Sequence, residues 1–123
     1  MICEKYNISN HEGCRLACLL FPPAGQPRFQ MVVAHGFRGA KENSGRIEHF
    51  AQKVTAMGGS VQAFDFAGSG ESEGRFSEMT LSRQAQDLQA VIEHALGRGK
   101  SPLIVLGRSF GGSTALAASA REP

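Results

Sequence analysis

Gly107-Arg108-Ser109-Phe110-Gly111-Gly112 is the stretch on which the reading of this chain turns. A short apolar run, Pro102-Leu103-Ile104-Val105-Leu106, leads into it. A small-residue run from Ser113 to Ala120, suited to a buried helix, leads out. Strand, then G-x-S-x-G, then helix is the context of a nucleophile elbow. A strand that turns at once into a helix strains the backbone of the turn residue, and Gly107 and Gly111 remove side chains that would collide there. The hydroxyl of Ser109 is then held clear of the sheet edge, above a helix N-terminus whose free N–H groups favour a developing oxyanion. The competing reading is a Gly- and Ser-rich strand-to-helix connection with no chemistry; the flanking strand and helix favour the elbow.

Upstream, residues 4–8 and 14–21 read as strands separated by the turn residues Asn10-His11-Glu12-Gly13, a β-hairpin. Pro22-Pro23-Ala24-Gly25-Gln26-Pro27 closes the second strand. Phe29–Ala34 is apolar and rich in β-branched residues, as expected of a buried parallel strand. Ile47, Phe50, Ala51, Val54 and Met57 recur at helical spacing, which predicts an amphipathic helix from about residue 44 to 57, stopped by Gly58-Gly59. Ser60–Phe66 is the next strand and Glu73–Thr80 a polar loop. Leu81, Ala85, Leu88, Ile92 and Ala95 line one face of a second helix closed by Gly97 and Gly99. A hairpin followed by β-α-β-α-β-α predicts an α/β fold, a parallel sheet with helices packed on it, as one domain over residues 1–123.

Composition narrows the function classes. The 123 residues are 41% hydrophobic and 20% charged, as in a water-soluble globular domain. The net charge of +2 comes from scattered basic residues, so no nucleic-acid footprint is present. Cys3, Cys14 and Cys18 form no disulfide framework. Cys14 and Cys18 in one strand would lie about 13 Å apart, beyond bridging distance. Reduced thiols, no signal peptide and an apolar run at Leu16–Phe21 too short to span a bilayer lead to the expectation of a cytoplasmic protein without a membrane partner. His11, His49 and His94 show no metal-ligand spacing, so no metal is expected.

Segments His35–Gly39, Asp65–Ser72 and Gly107–Gly112 each begin at the carboxyl end of a predicted strand, the side on which open parallel sheets bind ligands. Acyl transfer through a serine needs two N–H donors aimed at one oxygen. Phe110 follows the nucleophile and supplies one; the backbone N–H of Phe37 is the candidate for the other, with Gly36 leaving room for substrate. His35 reads either as catalytic base or as a residue that shapes this loop, and its place inside the donor loop favours the second. Asp65 reads as a turn residue that binds backbone N–H groups, against the sharper reading of a triad acid. Glu71 and Glu73 are expected to be solvated loop charges. The glycines at 68, 70 and 74 miss the dinucleotide spacing, and no phosphate-binding loop motif occurs. Phe37, Phe66, Phe76 and Phe110 fit an apolar acyl group or, equally, core packing beneath the loops.

With these residues in hand, the chain resembles the N-terminal half of α/β-hydrolase fold enzymes, and within them the cinnamoyl/feruloyl esterases and the serine aminopeptidase-like, monoglyceride lipase-like hydrolases. The resemblance rests on His35-Gly36-Phe37-Arg38-Gly39-Ala40-Lys41-Glu42, Phe64-Asp65-Phe66-Ala67-Gly68-Ser69-Gly70-Glu71-Ser72, Gly74-Arg75-Phe76 with Met79-Thr80, and the Ser109 stretch. It implies Ser109 as nucleophile, Phe37 and Phe110 as oxyanion donors, and an acyl-enzyme on a small-molecule ester, thioester or amide without cofactor. Such enzymes carry their triad acid and histidine after the serine. Neither partner follows Ser109 here, so the expectation is a partial hydrolase sequence, inactive as this piece. A sheet left open after the elbow strand offers an edge for dimerisation. The alternatives are a non-catalytic binding module on the same fold, or a peptidase or thioesterase of the superfamily.

Overall fold

A computed structural model describes residues 3–35, 40–42 and 45–107 of the chain. Its elements run β1 (Glu4–Ser9), β2 (Arg15–Phe21), β3 (Phe29–Ala34), α1 (Arg46–Ala56), β4 (Gly59–Phe64), α2 (Leu81–Leu96) and β5 (Leu103–Gly107). Every expected element between residues 3 and 107 is found, with ends shifted by one or two residues. The helix expected after Ser113 lies outside the described residues, as does position 44.

The sheet is mixed, in the order β1-β2-β4-β3-β5. β1 and β2 form the hairpin, and β2 runs antiparallel to β4. β3 lies between β4 and β5 and is parallel to both. The chain therefore leaves β3 for one side through α1 and returns past it to the other side through α2. Right-handed crossovers in opposite directions place the two helices on opposite faces of the sheet.

Period-two alternation along the strands divides the core accordingly. Leu16, Cys18, Val32, Ala34, Phe64 and Phe66 pack against Ala85, Leu88, Val91, Ile92 and Ala95 of α2. Leu19, Phe21, Val33, Val61 and Ala63 pack against Ile47, Ala51 and Val54 of α1. β4 is buried along all six residues because each face of the sheet is covered, with Ser60 and Gln62 the polar side chains among them.

Two polar devices fix the α2 side. The Tyr6 hydroxyl donates to Gln62 Oε1 (3.0 Å), Gln62 Nε2 donates to Gln30 Oε1 (3.0 Å), and Gln30 Nε2 donates to the Ala95 carbonyl in the last turn of α2 (3.0 Å). At the other end of α2, Thr80 Oγ1 caps the helix by accepting from the Arg83 N–H (3.1 Å).

Candidate active site

Ala34, the last residue of β3, stands beside Phe64, the last of β4, and beside Gly107, the last of β5. Three parallel strands thus end in one row, with Ala34, Phe64 and Gly107 on a common rim. The row lies at the point where the strand order reverses, since α1 leads to one side of β3 and α2 to the other. Ser109, Phe110 and Gly111, like Gly36 and Phe37, lie outside the described residues. The structure describes their supports: His35, Asp65 and Gly107.

β4 ends two residues earlier than its sequence suggests. The Asp65 N–H still donates to the Ala17 carbonyl of β2 (3.0 Å), but the next N–H, that of Phe66, turns to His35 Nε2 (3.3 Å). A backbone N–H can only donate, so Nε2 is the unprotonated nitrogen of that ring. His35 is buried, and its ring stands edge-on to Phe66 with centroids 4.8 Å apart. Phe66 is itself fully buried and packs edge-on to Phe64 as part of the core.

Asp65 organises the loop that follows it. Its carboxylate is fully buried and accepts from three donors: the Lys41 N–H at Oδ1 (2.8 Å), and the Lys41 ammonium (2.7 Å) and Glu71 N–H (3.0 Å) at Oδ2. Its carbonyl accepts from Ser72 Oγ (2.6 Å), which in turn accepts from the Ala17 N–H (2.9 Å). Gly70 closes the turn at φ +51°, with its α-carbon so near the Asp65 carboxyl group that a β-carbon would collide with it.

The expectation that Glu71 and Glu73 are merely solvated charges is corrected. Glu71 Oε1 accepts from the Lys41 ammonium (2.8 Å), and Glu73 Oε1 accepts from the Arg15 N–H (2.9 Å) while the Glu73 N–H donates to the Arg15 carbonyl (2.9 Å). Both side chains are too close to specific donors to be free in solvent, although each is exposed on its outer side. The hydrogen bond from Lys41 holds the Glu71 carboxyl below the usual glutamate range.

Lys41 is the residue that sequence reasoning missed. Its side chain is 2% exposed, and its ammonium contacts Asp65, Glu71 and Glu42, the last at 2.9 Å. Burial alone would lower its pKa, but hydrogen bonds to Asp65, Glu71 and Glu42 outweigh that and hold it above the ordinary lysine value. No local pattern marks a buried lysine, because its partners come from separate stretches.

On the other flank, α2 contributes Asp87, also buried. Its Oδ2 accepts from the Ala67 N–H (2.9 Å) and its Oδ1 from Asn10 Nδ2 of the hairpin turn (2.8 Å). Burial raises its pKa, and the bonds from Ala67 and Asn10 oppose that rise. The remaining histidines stand apart from the rim. His11 pairs with Glu93 (2.8 Å) on the surface, His49 is exposed on α1, and His94 is stacked on Tyr6 (5.2 Å). Among the described residues, no group of three or more His, Cys, Asp and Glu could hold a metal ion, and no helix is long and apolar enough to cross a membrane.

A mixed sheet of this order, with a G-x-S-x-G stretch directly after β5 and the rim just described, defines an α/β hydrolase. The family model described as serine aminopeptidase, S33, matches residues 25–123, and the chain belongs to that family. A monoacylglycerol lipase of Mycolicibacterium smegmatis is 35% identical over 98% of this chain and 42% of its own length. Among solved structures, the α/β hydrolase GrgF from a Penicillium species superposes with a TM-score of 0.87 at 22% identity, over 98% of this chain and 42% of that one. The ferulic acid-bound Est1E of Butyrivibrio proteoclasticus superposes with a TM-score of 0.82 at 26% identity, over 95% and 47%. The chain thus spans less than half the length of these proteins.

Proposed function

We propose that this chain carries the nucleophile half of a serine carboxylic-ester hydrolase, with Ser109 as nucleophile. The observation that carries the reading is the shared row of Ala34, Phe64 and Gly107, the strand ends that precede the Phe37 loop, the Asp65 loop and the Ser109 stretch in sequence. Ser109 Oγ forms a bond to the acyl carbon, and its proton passes through a base to the departing alcohol. The N–H groups of Phe37 and Phe110 take the charge that develops on the carbonyl oxygen. Water then releases the acid. His35 and Asp65 shape and hold the loops in this reading, Gly36 gives substrate access, and Gly107 and Gly111 permit the turn. The names of the relatives, lipases of monoacylglycerols and an esterase-like protein holding ferulic acid, support a small-molecule acyl ester as substrate class. The S33 description favours testing an amide beside it.

No Asp or His follows Ser109 in this chain, so the isolated 123-residue polypeptide is expected to turn over no ester. The test is fluorophosphonate labelling of the protein from its natural source, with the adduct mapped by mass spectrometry. A single adduct on Ser109, absent in Ser109→Ala, and hydrolysis of a monoacylglycerol in preference to an aminoacyl amide are expected. An unlabelled protein that nonetheless hydrolyses the ester would overturn the assignment of Ser109.

A further inference from the structure

We propose that Lys41 is a positioning residue for acyl transfer, its buried ammonium locking the segment that carries Phe37 to the loop after β4. The inference rests on the reading of Ser109 and Phe37 given above and extends it to a residue outside the G-x-S-x-G and oxyanion positions.

Asp65 grips Lys41 twice, through the main-chain N–H (2.8 Å) and through the ammonium (2.7 Å). His35 is held to the adjacent residue by the Phe66 N–H (3.3 Å). Residues 36–40 therefore run between two points that are both fixed to Asp65-Phe66. The stretch from Asp65 to Ala67 is itself held at both ends. Ser72 ties the Asp65 carbonyl to β2, and Asp87 ties Ala67 to α2. A shift of Lys41 would accordingly not be absorbed by the loop beneath.

Stability alone does not explain a lysine here. A buried ion pair is commonly replaced by apolar residues of similar volume without loss of stability, because desolvation offsets the attraction. The ammonium has three protons and three carboxylate partners, from Glu42 in its own segment and from Asp65 and Glu71 in the other. That arrangement specifies where one loop lies relative to the other. Displacing an oxyanion donor by about 1 Å can cost on the order of 100-fold in rate.

The experiment compares wild type, Lys41→Met, Lys41→Arg and the double variant Lys41→Met/Asp65→Asn in the protein from its natural gene, by p-nitrophenyl ester hydrolysis and urea denaturation. Lys41→Met is expected to lower kcat roughly 10- to 100-fold with KM within about threefold. It also loses stability, because the Asp65 charge is left buried without its cation. The double variant removes that charge, so stability recovers while kcat does not. Lys41→Arg keeps the charge and the fold, and is expected to lose about 3- to 10-fold in kcat through its planar head group. Recovery of kcat together with stability in the double variant, or wild-type kcat in either single variant, would overturn the proposal and leave the Ser109 reading intact. Failure of wild type to take a fluorophosphonate on Ser109 would remove the Ser109 reading, and this inference with it.

Discussion

Gly70→Ala probes the centre of the site with one methyl group. Gly70 has φ +51°, and an added β-carbon would land on the Asp65 carboxyl group, within 2.7 Å of Oδ1 and closer still to Cγ and Oδ2. The left-handed backbone alone costs a non-glycine residue about 1–2 kcal/mol. The carboxylate has no room to step aside, being fully buried and engaged by the Lys41 N–H, the Lys41 ammonium and the Glu71 N–H. Losing one or two of those bonds costs a further ~1–3 kcal/mol each. The sum, about 2–8 kcal/mol, is a large part of the ~5–15 kcal/mol that holds a typical domain folded. Gly13 supplies the control. Its φ of +77° is equally left-handed, yet nothing lies within 4 Å of an added β-carbon, so Gly13→Ala should cost only the backbone term. Urea denaturation of both variants, followed by far-ultraviolet circular dichroism, should place Gly70→Ala about 1–6 kcal/mol below Gly13→Ala at matched slope. Two variants within about 0.5 kcal/mol of each other would refute the idea that the Asp65 carboxylate is held rigidly against this turn.

Other perturbations test the surroundings. Burial raises the Asp87 carboxyl above the usual aspartate range, so the native state holds its proton more tightly than the unfolded chain. Its contribution to stability must therefore fall as pH rises through the window from about 3.9 to the raised native value, and stay low above it. The difference in unfolding free energy between wild type and Asp87→Asn should change across that window; a flat difference would count against the assignment. Thr80→Ala removes the cap of α2 and should cost about 0.5–2 kcal/mol by denaturation, with Thr80→Ser restoring most of it. The Cys18 thiol is pushed up to about 12 by burial, so iodoacetamide at neutral pH should leave Cys18 unmodified in the native protein and alkylate exposed Cys3 first, as peptide mapping would show.

The order of elements was legible because each carries its own period. Ile47, Ala51 and Val54 mark a helix face, and the apolar run from Phe29 to Ala34 marks a strand covered on both sides. Glycines and prolines between them punctuate the chain. The antiparallel pairing of β2 with β4 was not legible, since nothing in Cys18 or Phe21 names the strand that will lie alongside. The same limit governs the site. Asp65 could be singled out from its place between a strand and a Gly-rich turn, with backbone N–H groups as its expected partners. Lys41 and Glu71 look like ordinary surface charges in sequence, and they become partners, with the lysine buried and the glutamate at the surface, only when the segments after β3 and β4 are brought to one rim. Phe66, an open choice between acyl pocket and core, is resolved as core by its contact with Phe64.

The thread from Tyr6 through Gln62 and Gln30 to the Ala95 carbonyl has an evolutionary consequence. It joins positions from the first strand, two central strands and the end of a helix, and each amide satisfies the next. Changing Gln62 to leucine would strand the Gln30 oxygen and remove the acceptor of the Tyr6 hydroxyl, so this step away from the arrangement is not cheap. Descendants of this gene should either keep all three side chains or replace them as a set, with phenylalanine at position 6 accompanying apolar residues at 30 and 62. Distant residues in the chain would then be inherited as one character.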